Sequence, residues 1–341
     1  MIKAGTKFSI LLGLAGFFVL LVWQGIGDIT HMLATAGWGL LVVTAFHVIP
    51  MLSSSVCWRI LLPVQHRPPL ARLWMARWIG ESVNSMLPVA QIGGEIAKAR
   101  WIMRYRNQHK AMPATAAGSS VVVEVTLSLL TQIIFTLVGL ITLLVYLERN
   151  DTLLLEIAIG ILVMLGLLAA FYASQHRNLF ARAAQWLEKI AGGKAWLRLA
   201  GGAAAMDQAI VGIYRQKHTV AISAAWRLLS WFLGIGEVWL LMYFLGHPVS
   251  LVEALLLESL GQAIRAAGFL IPASLGIQEG GFLLLGTLLG IPPHTALALS
   301  LGKRVREILL GIPGLIVWQH DAGQGLWQGR QTEQATEPVG R

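Results

Sequence analysis

Hydrophobic runs too long for a soluble core alternate along this chain with short polar breaks. "FSILLGLAGFFVLLVW" (8–23) and "MLATAGWGLLVVTAFHVIPMLSSSVCW" (32–58) contain no Asp, Glu, Lys or Arg. A helix needs ~20 such residues to cross bilayer hydrocarbon. The pattern predicts full spans at roughly 8–26, 33–62, 113–147, 152–174, 219–245 and 296–318. Two more regions, 68–94 and 251–291, are apolar but interrupted by proline and glycine. The predicted fold class is an all-α polytopic membrane protein with six full spans plus two broken segments, re-entrant or discontinuous. If the broken segments cross, the spans number eight. Residues 1–320 read as one integral membrane domain and 321–341 as a polar, disordered tail.

Composition agrees with this pattern. Only 13% of the 341 residues are charged and 56% are hydrophobic, with a mean hydropathy of +0.66. Soluble domains carry about 25% charged residues, so this chain has too few to cover a water-facing surface. Lys3 and Lys7 precede the first apolar run, and "ATA" at 34–36 resembles a signal-peptide cleavage site. The site lies too far beyond the run, so segment one is expected to stay as an anchor. The single Cys57 excludes a disulfide framework within the chain.

The net charge of +9 is unevenly placed. Lys98, Arg100, Arg104, Arg106 and Lys110 crowd a loop at about 95–112, and Arg177, Arg182, Lys189, Lys194, Arg198, Arg215 and Lys217 another at 175–218. Within it, 177–217 is moderately amphipathic and expected to form a cytoplasmic helical hairpin. The short loops at 27–32, 148–151 and 246–250 hold one Lys or Arg, Arg149. This asymmetry is the positive-inside signal; it predicts a cytoplasmic N-terminus and cytoplasmic basic loops, and gives no reason to expect nucleic acid. Arg72 and Arg77, among Leu73, Trp74 and Trp78, read as an amphipathic segment at the interface.

The broken segments resemble each other. "ESVNSMLPVAQIGGE" (81–95) and "ESLGQAIRAAGFLIPASLGIQEGG" (258–281) both open on Glu-Ser, and both place a glutamate seven residues after a proline: Pro88 to Glu95, Pro272 to Glu279. Both are glycine-rich there, with Gly93 and Gly94 in the first and Gly276, Gly280 and Gly281 in the second. Alternation of the spans makes the two enter from opposite faces, as in inverted-repeat transporters whose sites lie between the halves. Broken backbone at membrane depth is tolerated only inside protein or along a hydrated cavity.

Several ionisable residues fall inside the spans, and all of them except Arg227 and Glu237 are candidate site residues. They are Glu124, Arg227, Glu237, Glu258, Arg265, Glu279, Lys303, Arg304, Arg306 and Glu307. A charge at the bilayer centre costs at least ~2.5–3.5 kcal/mol, so the set implies internal pairing or a hydrated cavity. Lys303 and Arg304 stand at helical pairing distance from Glu307, yet three cations face one carboxylate in "GKRVREILL", which points to an anion-facing role. Glu258 and Arg265 are two helical turns apart on one face. Arg227, one to two turns inside a cytoplasmic helix start, is expected to snorkel. The nine histidines are scattered, and the sequence shows no metal-type pair, nucleophile elbow or phosphate-binding glycine loop. No cofactor or metal is expected.

"NSMLPVAQIGGEIAKARWI", "FLIPASLGIQEGG" and "LALSLGKRVREILLGIPGLIVW" together resemble the family built on the transmembrane region of lysylphosphatidylglycerol synthase, also called flippase-like membrane proteins. The resemblance runs from about residue 5 to 320 and is nearest the stand-alone branch associated with hopanoid biosynthesis. It implies a bacterial inner-membrane protein that moves or places a lipid, hopanoid or anionic phospholipid, with lipid-biosynthesis enzymes among the expected partners; a membrane-embedded lipid-modifying enzyme and a non-catalytic scaffold for such enzymes are the alternatives. It carries over Asn84, Pro88, Gly93, Gly94, Glu95, Pro272, Gly276, Glu279, Arg304 and Arg306 as lipid-site residues. A frequent arginine after the first Gly-Gly-Glu falls on Lys98 or Arg100 here. The synthase's aminoacyl-transferase domain is missing from this sequence, so the chain is not expected to make lysyl-lipid.

Overall fold

In the computed structural model the described residues are His31, 34–87, 93–107, 110–146, Gly166, 195–268 and 274–336. The expected spans at 8–26 and 152–174 (Gly166 apart), Pro88, Pro272, and residues 177–194 of the expected 177–217 hairpin lie outside them. Ten helices are described, with bounds close to the apolar runs. They are α1 Gly39–Phe46, α2 Val48–Leu61, α3 Leu70–Met86, α4 Gly93–Met103, α5 Ala114–Tyr146, α6 Ala195–Arg215, α7 Lys217–Phe244, α8 Leu251–Ala267, α9 Ile277–Leu288 and α10 Pro293–Thr336. The fold is all-α apart from a two-residue antiparallel ladder, Arg106–Asn107 with Lys110–Ala111. Helix α10 runs on to Thr336, beyond residue 320 where the polar composition predicts disorder.

Three stretches among the described residues are long and apolar enough to cross a membrane: Gly39–Leu61, Ala114–Tyr146 and Lys217–Phe244. Their polar side chains are satisfied locally, as hydrocarbon requires. In α5 the hydroxyls of Thr126, Thr131 and Thr142 donate to the carbonyls of Val122, Leu127 and Val138, one turn back. Polar groups elsewhere bridge helices: Ser53 donates to the Trp226 carbonyl, and Ser54 and Ser230 meet at 2.7 Å between α2 and α7.

Both interrupted segments are helix–break–helix units. Helix α3 ends at Leu87, which turns extended (φ −112°, ψ 144°), and α4 starts at Gly93. The Gly94 N–H is capped by Asn84 Oδ1 at 2.8 Å. A side chain at Gly94 would strike Gly80 and Asn84, so α3 and α4 meet backbone to backbone. In the second unit α8 stops at Gly268 and α9 starts after Gly276, whose φ of 80° suits glycine. Here the Gly276 N–H is capped by Glu279 Oε2 at 2.7 Å. Ser274, also at positive φ (50°), is held by its hydroxyl donating to the Arg265 carbonyl at 3.1 Å.

The packing is reciprocal. Helix α3 of the first broken unit lies on α10, α8 of the second lies on α5, and α2 pairs with α7. The serine of each Glu-Ser pair sits at these crossings. A Cβ on Gly314 of α10 would collide with the Ser82 hydroxyl of α3, and one on Gly139 of α5 with the Ser259 hydroxyl of α8. The repeated dipeptide thus marks two equivalent close approaches of small residues.

Candidate functional site

A cavity of about 220 Å³ lies where these helices converge, lined by residues of α2, α3, α7, α8 and α10 together with His47 at the α1–α2 junction. Four carboxylates reach it, Glu81, Glu237, Glu258 and Glu307, and four cations, Arg227, Arg265, Lys303 and Arg306. Three of those cations are held across helices. Lys303 Nζ bonds Glu258 Oε2 at 2.5 Å, Arg306 Nε lies 3.2 Å from Glu237 Oε1, and Arg265 bonds Glu307. Glu258 also accepts from Gln262 at 2.8 Å.

A second charged cluster adjoins the cavity between α3, α4 and α5. Glu124, 1% exposed, is the common acceptor of Arg77 at 2.9 Å and of Lys98. Lys98 also reaches Glu95 at 2.5 Å and overlies the Trp58 ring at 5.0 Å. Glu81 joins the two clusters, with Arg77 Nε at 3.4 Å on one side and His47 Nε2 at 3.3 Å on the other.

His47 stands at a contested point. Its Nδ1 lies 2.6 Å from Glu237 and donates there. Arg306 Nη1 lies 2.9 Å from both ring nitrogens, so with Nδ1 donating to Glu237 only Nε2 can accept from it, and Nε2 lies 3.3 Å from Glu81 Oε2. The arginine N–H requires a lone pair on Nε2; the carboxylate requires a proton. The neutral ring satisfies α10 and the protonated ring satisfies α3, so protonation exchanges the partners of one side chain between two helices.

The full pattern of broken, charged helices has a counterpart among known protein families. A family model described as the lysylphosphatidylglycerol synthase TM region matches residues 10–314. The chain belongs to that family. No curated protein and no solved structure matches it. Membership makes this a membrane protein of lipid metabolism or transport.

Within this TM-region protein the expected site residues divide into groups. Glu258, Arg265, Lys303, Arg306, Glu307 and Asn84 come together at the cavity. Glu124, Lys98 and Glu95 form the adjoining cluster. Lys98 is the buried cation there, whereas Arg100 is exposed. Gly93, Gly94 and Gly276 shape the breaks. Glu279, 1% exposed, binds Arg304 Nε at 2.5 Å and caps α9 outside the cavity lining. Glu95, also in the first turn after its break, pairs with Lys98 instead.

Three readings change. The cations of "GKRVREILL" do not present an excess, because Glu237, Glu258, Glu279 and Glu307 meet them from three helices and their own. Arg77 is buried at 7% exposure rather than interfacial. Arg227 does not snorkel: its guanidinium turns inward to Ser54 and Ser128. His47, Arg77, Glu81, Arg227 and Glu237 belong to the site, although periodicity gave no reason to group them. The signal available was their ionisable character inside apolar runs.

Proposed function

We propose that this protein is a lipid transporter of the flippase type in the bacterial inner membrane, with its N-terminus and basic loops cytoplasmic, and not a lipid-modifying enzyme. The observation that carries the reading is the charged cavity between reciprocally packed helix–break–helix units. The packing exchange is what an inverted repeat generates, and binding between two such halves suits alternating exposure of one site. In this mechanism a lipid headgroup enters the cavity while its tails stay in the bilayer. The ion pairs of Arg306, Lys303 and Arg265 open and re-form as the halves rock, and His47 passes between Glu81 and Arg306 as a proton binds or leaves. Arg304 and Glu279 hold the second break together instead of meeting the headgroup. Hopanoid and anionic phospholipid are the candidate cargoes, with lipid-biosynthesis enzymes as neighbours.

The test is headgroup accessibility of labelled hopanoid and labelled phospholipid in liposomes containing the purified protein. Protein-dependent movement between leaflets, lost in Arg306→Ala with insertion intact, is the expected result. No movement of either lipid, with or without a proton gradient, defeats the proposal. A chemically altered lipid recovered from the same vesicles establishes an enzyme in its place.

A further inference from the structure

Arg227 differs from every other cation of the cavity. Lys303, Arg306 and Arg265 each have a carboxylate, and Glu81 is shared by Arg77 and His47. Arg227 has no carboxylate at ion-pair distance among the described residues. It lies ten residues into α7, about 15 Å along the axis from Lys217 at 1.5 Å per residue. That is half the ~30 Å of hydrocarbon, where a guanidinium without a counter-charge is expensive.

Its position is nonetheless fixed. Nε and Nη2 donate to Ser128 Oγ at 3.1 and 2.6 Å, Nη1 donates to Ser54 Oγ at 2.7 Å, and the group lies over the Trp231 ring at 4.9 Å. These bonds use three of the five N–H donors of a guanidinium. The other two, one on each terminal nitrogen, have no partner among the described residues, and the side chain lines the cavity. A planar fork held by hydroxyls and an aromatic face, with paired donors left over, is built for an oxyanion.

We propose that Arg227 is the anion-reading residue of the cavity and that it binds the phosphate of a headgroup. This rests on the transport reading for the lipid's passage, but the binding site stands without it. The charged and polar side chains that line the cavity suit a phosphate headgroup rather than acyl chains. The phosphate supplies the counter-charge that Arg227 lacks. A lipid phosphodiester and free inorganic phosphate share this chemistry, whereas a lipid whose headgroup carries only hydroxyls leaves Arg227 uncompensated.

The experiment measures thermal stabilisation of the full-length protein in a neutral detergent, titrated with dihexanoylphosphatidylglycerol, dihexanoylglycerol or sodium phosphate. The phosphatidylglycerol should stabilise the wild type and the phosphate-free lipid should not. Arg227→Gln should weaken the apparent affinity at least about tenfold, the worth of a charge-assisted hydrogen bond, and Arg227→Lys should fall between. If Arg227→Gln does not fold, the double change Ser54→Ala with Ser128→Ala, which frees the fork, is expected to weaken it instead. Equal stabilisation by sodium phosphate at equal concentration supports the anion site and identifies free phosphate as its source. Stabilisation by dihexanoylglycerol equal to that by the phosphatidylglycerol, or unchanged affinity in the Arg227 variants, overturns the proposal. In liposomes, movement of phosphatidylglycerol undiminished by Arg227→Gln overturns it while leaving transport standing. Arg227-dependent binding without any lipid movement does the reverse.

Discussion

Removing the carboxylate of Glu124 exposes how the first broken unit is held. Glu124 is the common partner of Arg77 and Lys98, and all three are buried, at 1%, 7% and 2% exposure. At 2.9 Å and an effective dielectric of ~20, the gross attraction to Arg77 alone is about 6 kcal/mol. Glu124→Gln keeps the shape and leaves two buried cations facing a neutral amide. Breaking a buried pair from one side costs about 3–5 kcal/mol. Arg77 retains Glu81 at 3.4 Å and Lys98 retains Glu95 at 2.5 Å, so the loss should fall near the lower figure, about 3 kcal/mol. Lys98→Met should cost less, because Glu124 keeps Arg77. The double variant should be more stable than the sum of the single losses implies, with a coupling of about 1–3 kcal/mol. Unfolding in mixed micelles titrated with a denaturing detergent gives these differences. A loss under about 1 kcal/mol in Glu124→Gln, or strict additivity in the double variant, refutes the view that these charges hold α3, α4 and α5 together.

Three further outcomes are expected. Gly314→Ala should destabilise by about 1–3 kcal/mol through overpacking, because its Cβ meets Ser82, and Ser82→Gly should relieve much of it in the same unfolding assay. Asn84→Ala removes the acceptor for the Gly94 N–H and should cost about 1 kcal/mol, as helix caps do; amide exchange at the start of α4 should rise with it. His47→Gln should flatten the dependence of lipid movement on pH, since glutamine cannot gain a proton and keeps one set of partners throughout.

The helices were legible because apolar run length and bilayer thickness leave few alternatives. The break at Gly93–Gly94 and that at Gly276 were legible too, since glycine beside proline in an apolar run has few other uses. The Glu-Ser repeat pointed to equivalence, and its serines do occupy matching crossings. Charge balance was not legible. "GKRVREILL" carries three cations and one carboxylate in sequence, but Glu237, Glu258 and Glu279 arrive from α7, α8 and α9. Pairings between residues 25 to 259 positions apart leave no trace in local spacing. Arg227 shows the same limit, because distance from a helix end does not reveal that Ser54 and Ser128 wait on the inner side.

The central claim is that lipid moves through the cavity between the two halves. Ser85 lines that cavity and can carry a single reactive cysteine in a Cys57→Ser background. Leaflet exchange of labelled phospholipid is then measured in proteoliposomes before and after complete modification of Ser85→Cys with a bulky membrane-impermeant maleimide. The account predicts exchange before labelling and its loss afterwards, with the protein still folded. Exchange that continues at the same rate with the cavity filled contradicts it.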